Sequence, residues 1–124
     1  MTSAEEPRDR TAAQVFSEVW TELVAMLGSA ATATLVRRAA KRACKRADGL
    51  AALQVSREGW EYRYALPADW EKLPPRKVPA FAALLQHELV PLLREFTGEI
   101  VVRRLQDIAG LKELGPSVFG DIER

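Results

Sequence analysis

The feature that most constrains this chain is a change in hydrophobic period near its middle. Before Gly49 the apolar residues recur at helical spacing, whereas from Leu53 to Leu66 they alternate with polar residues. This alternation is typical of half-buried strands, and a glycine-containing turn at residues 57–59 divides it into two runs. The sequence therefore predicts one β-hairpin, which is too small to be stable alone and must pack on helices or pair with another chain.

The first half of the chain predicts two amphipathic helices, over residues 11–27 and 30–47. Thr11 is a suitable N-cap, Gly28 suits the left-handed position that ends a helix, and Ser29 suits the cap of the next helix. The inner face of the first helix is predicted to hold Phe16, Val19, Trp20, Leu23, Met26 and Leu27. The inner face of the second is predicted to hold Leu35, Val36, Ala39, Ala40, Ala43 and Ala47.

The second half predicts a loop and then two more helices. Residues 67–79 contain four prolines and read as a loop, with one helical turn at 68–72. The third helix begins at Pro79, and Pro91 should kink it. Its predicted buried face consists of Phe81, Leu85, Leu89, Leu92 and Phe96. The fourth helix, over 98–109 and capped by Thr97, is predicted to bury Ile100, Val101, Leu105 and Ile108.

These elements predict a mostly helical α+β fold, with four main helices and a central β-hairpin in the order ααββαα. A single domain is predicted over residues 11–110, with tails at 1–10 and 111–124. A weak two-fold internal repeat is also indicated. A shift of 66 residues aligns Glu22 to Val24 with Glu88 to Val90, and Val36 to Arg38 with Val102 to Arg104.

Composition narrows the functional class. Cys44 is the only cysteine, so no internal disulfide and no cysteine-based metal site is expected, and a cytoplasmic location is the simplest interpretation. The first ten residues contain no apolar segment, so no secretory signal is expected. No apolar run is long enough to span a membrane. We expect no cofactor, no metal and no small-molecule ligand.

The predicted second helix carries a basic stripe, defined as Arg37, Arg38, Lys41, Arg42 and Lys45. Residues 37–46 hold six basic side chains and no acidic one, on a protein whose net charge is only +1. Such a stripe fits an acidic protein surface or the phosphates of a nucleic acid. A solvated helix face, favoured near the helix C-terminus by the dipole, is the simplest alternative.

Aromatic residues form a second candidate feature. Trp60, Tyr62 and Tyr64 are predicted to share one face of the second strand. Aromatic side chains on a sheet can stack unpaired bases. The interpretation we favour is that they cover the helical core, because a half-buried strand has the same pattern.

His87 is the only histidine, and helical spacing places it opposite the predicted apolar face. The run from Phe81 to Leu92, with acidic Glu88 directly after the histidine, resembles the H-box of sensor histidine kinases. It departs from that family in placing Pro91 four residues after the histidine, where the family has five. The resemblance covers some 12 residues and implies that His87 is a phosphoacceptor.

No motif for nucleotide binding or nucleophilic catalysis occurs in the sequence, so we do not expect an enzyme. The leading hypothesis is a small protein-interaction or regulatory module, such as a signalling adaptor, that acts through its helical surfaces as a homodimer. Binding of nucleic acid by the helix at 37–46 is the first alternative. Histidine phosphotransfer through His87 is the second.

Overall fold

The computed structural model describes residues 10–45 and 53–108. The elements, in chain order, are helices α1 (Ala12–Leu27) and α2 (Ser29–Ala43), strands β1 (Gln54–Glu58) and β2 (Glu61–Ala65), two 3₁₀ turns (Ala68–Glu71 and Pro75–Lys77), helix α3 (Pro79–Ala83), a π segment (Leu84–Leu89), and helices α4 (Val90–Thr97) and α5 (Glu99–Gln106). Helix α3, the π segment and α4 follow one another without a break and are called the long helix. The predicted mostly helical α+β fold with a central hairpin is confirmed.

Helix α1 begins where its sequence provides a cap. The backbone N–H of Gln14 donates to the Thr11 hydroxyl at 3.2 Å, and the backbone N–H of Thr11 donates to the Gln14 side chain at 2.9 Å. This reciprocal pair is a capping box, and it satisfies two of the amides that a helix start leaves without a partner. The predicted cap at Thr11 is confirmed.

Two glycine corners join neighbouring helices directly. Gly28 (φ 92°) lies between α1 and α2, and Gly98 (φ 79°) lies between α4 and α5. Each glycine ends one helix and precedes the next. The positive φ of both glycines is a backbone conformation that residues with an L side chain rarely adopt. The corners are 98 − 28 = 70 residues apart, so the predicted shift of 66 does not superimpose them.

Two predicted caps at these corners were wrong. Ser29 is the first residue of α2 and caps nothing. Thr97 is the last residue of α4, and its hydroxyl donates backward to the Leu93 carbonyl at 2.6 Å. Helix α2 also ends at Ala43, four residues before the predicted Ala47, which lies outside the described residues.

Pro91 perturbs the long helix in a way that spacing did not predict. Proline offers no N–H and its ring crowds the preceding turn. The bonds before it shift to a wider pattern, in which Val90 N–H donates to the Leu85 carbonyl five residues back. A π turn holds more residues than the 3.6 of an α-helix. Side chains beyond it are therefore rotated relative to an unbroken helix.

The structure corrects the predicted buried face of the long helix. Phe81, Leu85, Leu89 and Leu92 are buried as predicted, but Phe96 is 57% exposed. Leu84 and Leu93, which were not predicted, are fully buried. In α5, Val101 and Leu105 are buried as predicted, whereas Ile100 is 75% exposed and Val102 is fully buried. The helix ends at Gln106, and Ile108 lies just beyond it and is half-buried.

The loop between the hairpin and the long helix supplies a core residue that the sequence did not single out. Trp70 lies in the first 3₁₀ turn and is 2% exposed. Its ring packs edge-on against Phe81, with centroids 5.1 Å apart, and also against Phe16. The Leu73 carbonyl accepts from the Ala12 amide at 2.8 Å, so the loop is also tied to the start of α1.

Strands β1 and β2 pair antiparallel, from Gln54 opposite Ala65 to Glu58 opposite Glu61. The turn is therefore the two residues Gly59 and Trp60, and not the three residues 57–59 that were predicted. Gly59 has φ 65°, a value common in two-residue hairpin turns. Trp60 is thus a turn residue, and it is 90% exposed. The prediction that it covers the core was wrong.

Candidate interaction surface on helix α2

All five residues of the predicted basic stripe are exposed on α2 and in the turn that follows it. Within residues 10–45 and 53–108, no carboxylate forms an ion pair with any of them. Arg37 makes a single hydrogen bond, donating to the Val55 carbonyl at 3.3 Å. The stripe is therefore not neutralised by the described part of the chain, and its charge faces solvent.

An apolar groove lies along one side of the stripe. It is a cleft of about 560 Å³ at the corner between α1 and α2, closed on its far side by the end of α4. Most of its lining is apolar or small, and it consists of Leu27, Ala30, Ala31, Thr34, Leu35, Arg38, Phe96 and Thr97. Exposed apolar surface gathered in a concave site is typical of a binding groove.

The position of Phe96 at the end of α4 explains why this groove exists. Phe96 lies on the same face of α4 as the buried Leu92 and Leu93, but it is the last residue but one of the helix, where that face is open to solvent. The alanines at the start of α2 leave space beside it because their side chains are short. The groove therefore depends on where α4 ends relative to the core, which sequence spacing did not reveal.

Arg38 belongs to both features, since it is a member of the basic stripe and lines the apolar groove. A second cleft, of about 410 Å³, lies on the other side of α2 against β1 and is lined in part by Arg37 and Lys41. The stripe therefore does not form one uniform surface. Arg38 borders an apolar groove, and Arg37 and Lys41 border the hairpin.

The aromatic residues of the hairpin do not gather into a stacking surface. Tyr64 is half-buried and packs on Phe16 and Trp20 of α1, with ring centroids 4.8 and 4.9 Å apart. Tyr62 is half-buried under the Arg57 guanidinium, 5.8 Å from its ring centroid. Tyr64 thus covers the core as predicted.

His87, the predicted phosphoacceptor, is exposed on the π segment. Its neighbour Glu88 is 6% exposed, so His87 faces solvent and the next side chain faces the interior. Exposure of His87 agrees with the helical spacing from which it was placed. Phosphotransfer itself stays a prediction.

No family model, curated protein or solved structure matches this chain. In the two described ranges, no helix combines the length and apolarity that a membrane span requires. Nor do three or more histidine, cysteine or acidic side chains come together there as metal ligands.

Proposed function

We propose that this protein is a protein-interaction module that binds an acidic, amphipathic segment of a partner protein along α2. The observation that carries the proposal is the position of Arg38, which joins an apolar groove to a row of unneutralised cations. Because the sequence contains a single cysteine, we place this function in the cytoplasm.

The groove favours a partner with an apolar face. Phe96 is more than half exposed and stands beside Leu27 and Leu35. Aromatic side chains in such sites often dominate binding energy, because they lose most of their contact with water when a partner covers them. An amphipathic helix that lies in the groove would cover these side chains with residues spaced three and four apart.

The stripe favours a partner with negative charge next to that apolar face. Opposite charges steer encounter and fix orientation more than they add affinity. A nucleic-acid duplex would also supply negative charge, but its bases are paired and stacked inside, and its phosphate backbone offers nothing apolar to cover Phe96. The groove therefore favours protein over nucleic acid, which remains the alternative occupant of the stripe.

The proposal is tested with a labelled model peptide whose helix carries leucines on one face and glutamates beside them. We expect it to bind, and Phe96→Ala to weaken binding about tenfold, as for an aromatic anchor. Arg38→Glu should weaken binding and reduce its dependence on salt. Arg103→Glu is the matched control, because it makes the same change of charge at an exposed position of α5.

A peptide of the same pattern with lysine in place of glutamate controls for non-specific apolar binding and should bind less tightly. Short duplexes of DNA and RNA are measured in the same buffer. The proposal is wrong if Phe96→Ala leaves the affinity unchanged, or if the duplexes bind more tightly than the acidic peptide.

A further inference from the structure

The outer edge of β2 carries backbone groups that no described residue binds. Glu58 and Glu61 flank a two-residue turn, and such a hairpin closes on a hydrogen-bonded pair. Bonded and non-bonded pairs alternate along an antiparallel ladder. Tyr62 and Tyr64 therefore point their N–H and C=O groups away from β1, and no hydrogen bond reaches them within residues 10–45 and 53–108.

The other edge of the hairpin is partly covered. By the same alternation the carbonyl of Val55 points outward from β1, and it accepts a hydrogen bond from Arg37 of α2. This hydrogen bond shows that the Val55 carbonyl does point away from β2, as the alternation of bonded and non-bonded pairs requires. Helix α2 covers part of the β1 edge of the hairpin, so the β2 edge is the one left open for pairing with another strand.

We propose that β2 pairs antiparallel with β2 of a second copy of this chain, with the two-fold axis at Tyr62. The two hairpins then form one four-stranded sheet, ordered β1-β2-β2-β1. A self-complementary strand edge is what a two-fold dimer requires. This pairing does not involve the groove at Phe96, so it is independent of the proposed function.

Charge complementarity selects this register. An axis at Tyr62 places Glu61 opposite Arg63 of the second copy, twice across the interface, and opposite charges in such pairs are favourable. An axis at Arg63 would place two arginines opposite each other, which is unfavourable. Glu61 and Arg63 both lie on the polar outer face, where their side chains are 3.6 Å apart within one chain.

The same register accounts for the exposure of Trp60. An axis at Tyr62 brings Trp60 opposite Tyr64 of the second copy. In the single chain Trp60 is 90% exposed, the most exposed of the large apolar side chains that the structure describes. Pairing would bring it against the partner's hairpin and shield it from water, so its fluorescence should shift to the blue as the dimer forms.

The first test is sedimentation of the whole chain. Tyr62→Pro removes the outward N–H on the axis and leaves the bonded pairs of the hairpin in place, since proline is tolerated at an edge. The wild type should be a dimer at micromolar concentration. The dissociation constant of the Tyr62→Pro dimer should be higher by roughly tenfold or more. Arg57→Pro is the matched control, because it removes an outward N–H from the other edge, and it should remain dimeric.

The second test uses charge and needs no proline. Glu61→Arg and Arg63→Glu each place like charges opposite one another, so each variant alone should be monomeric. Mixed together they should form a heterodimer, in which both pairs across the axis are again opposite in charge. A monomeric wild type, a Tyr62→Pro variant as dimeric as Arg57→Pro, or a mixture that stays monomeric would each overturn the proposal.

Discussion

Alanine substitutions at two phenylalanines of the long helix, Phe81 and Phe96, should lower the free energy of unfolding by very different amounts. Helical spacing gives Phe81 and Phe96 the same predicted buried face, but the structure buries Phe81 completely and leaves Phe96 57% exposed. Burying a whole phenylalanine side chain stabilises a protein by about 1.5–3 kcal/mol. Less than half of Phe96 is buried, so Phe96→Ala should cost about 1 kcal/mol.

Phe81→Ala should lower the free energy of unfolding by about 3–5 kcal/mol, because it removes apolar surface that folding buries and leaves a cavity. It also removes the edge-on contact with Trp70, whose ring centroid lies 5.1 Å away. Since 1 kcal/mol shifts the melting temperature of a domain this size by roughly 4–8 °C, the two variants should be clearly separated.

The measurement is urea unfolding followed by far-UV circular dichroism, which reports the helices and does not depend on tryptophans near the mutated sites. Phe81→Leu keeps most of the volume and should lose less than about 1.5 kcal/mol, so a measurable transition remains if alanine prevents folding. Equal losses at Phe81 and Phe96 would show that Phe96 is not exposed at the end of α4 as the structure describes it.

Two further substitutions test local features. Thr11→Ala should destabilise the protein by about 1 kcal/mol, because it opens the capping box with Gln14; thermal unfolding should show the loss, and an unchanged midpoint would contradict the cap. Gly98→Ala should cost about 1–3 kcal/mol, because its φ of 79° is strained for an L side chain. Ser29→Ala beside the other corner should change the free energy of unfolding by less than about 0.5 kcal/mol, since Ser29 caps nothing; a loss equal to that of Gly98→Ala would refute the argument.

The amino-acid sequence alone determined the kinds of element and their order. Period, caps and glycines are local signals, so α1 with its cap at Thr11, the hairpin, a helical turn beginning at Ala68 and the break at Gly28 were all predictable. The basic stripe was predictable for the same reason, because its residues lie within one helix and the turn after it.

Only the tertiary structure decided which side chains meet. Phe96 was predicted to be buried because helical spacing shows which face of a helix a residue occupies. Spacing does not show where along the helix the core ends, and Phe96 is exposed on that face at the end of α4. Trp70 was missed because its burial depends on contacts with other elements of the fold, with Phe16 of α1 and Phe81 of α3. The groove at Arg38 likewise joins the α1–α2 corner to the end of α4. Such contacts follow from how helices pack against one another, and no local period records that packing.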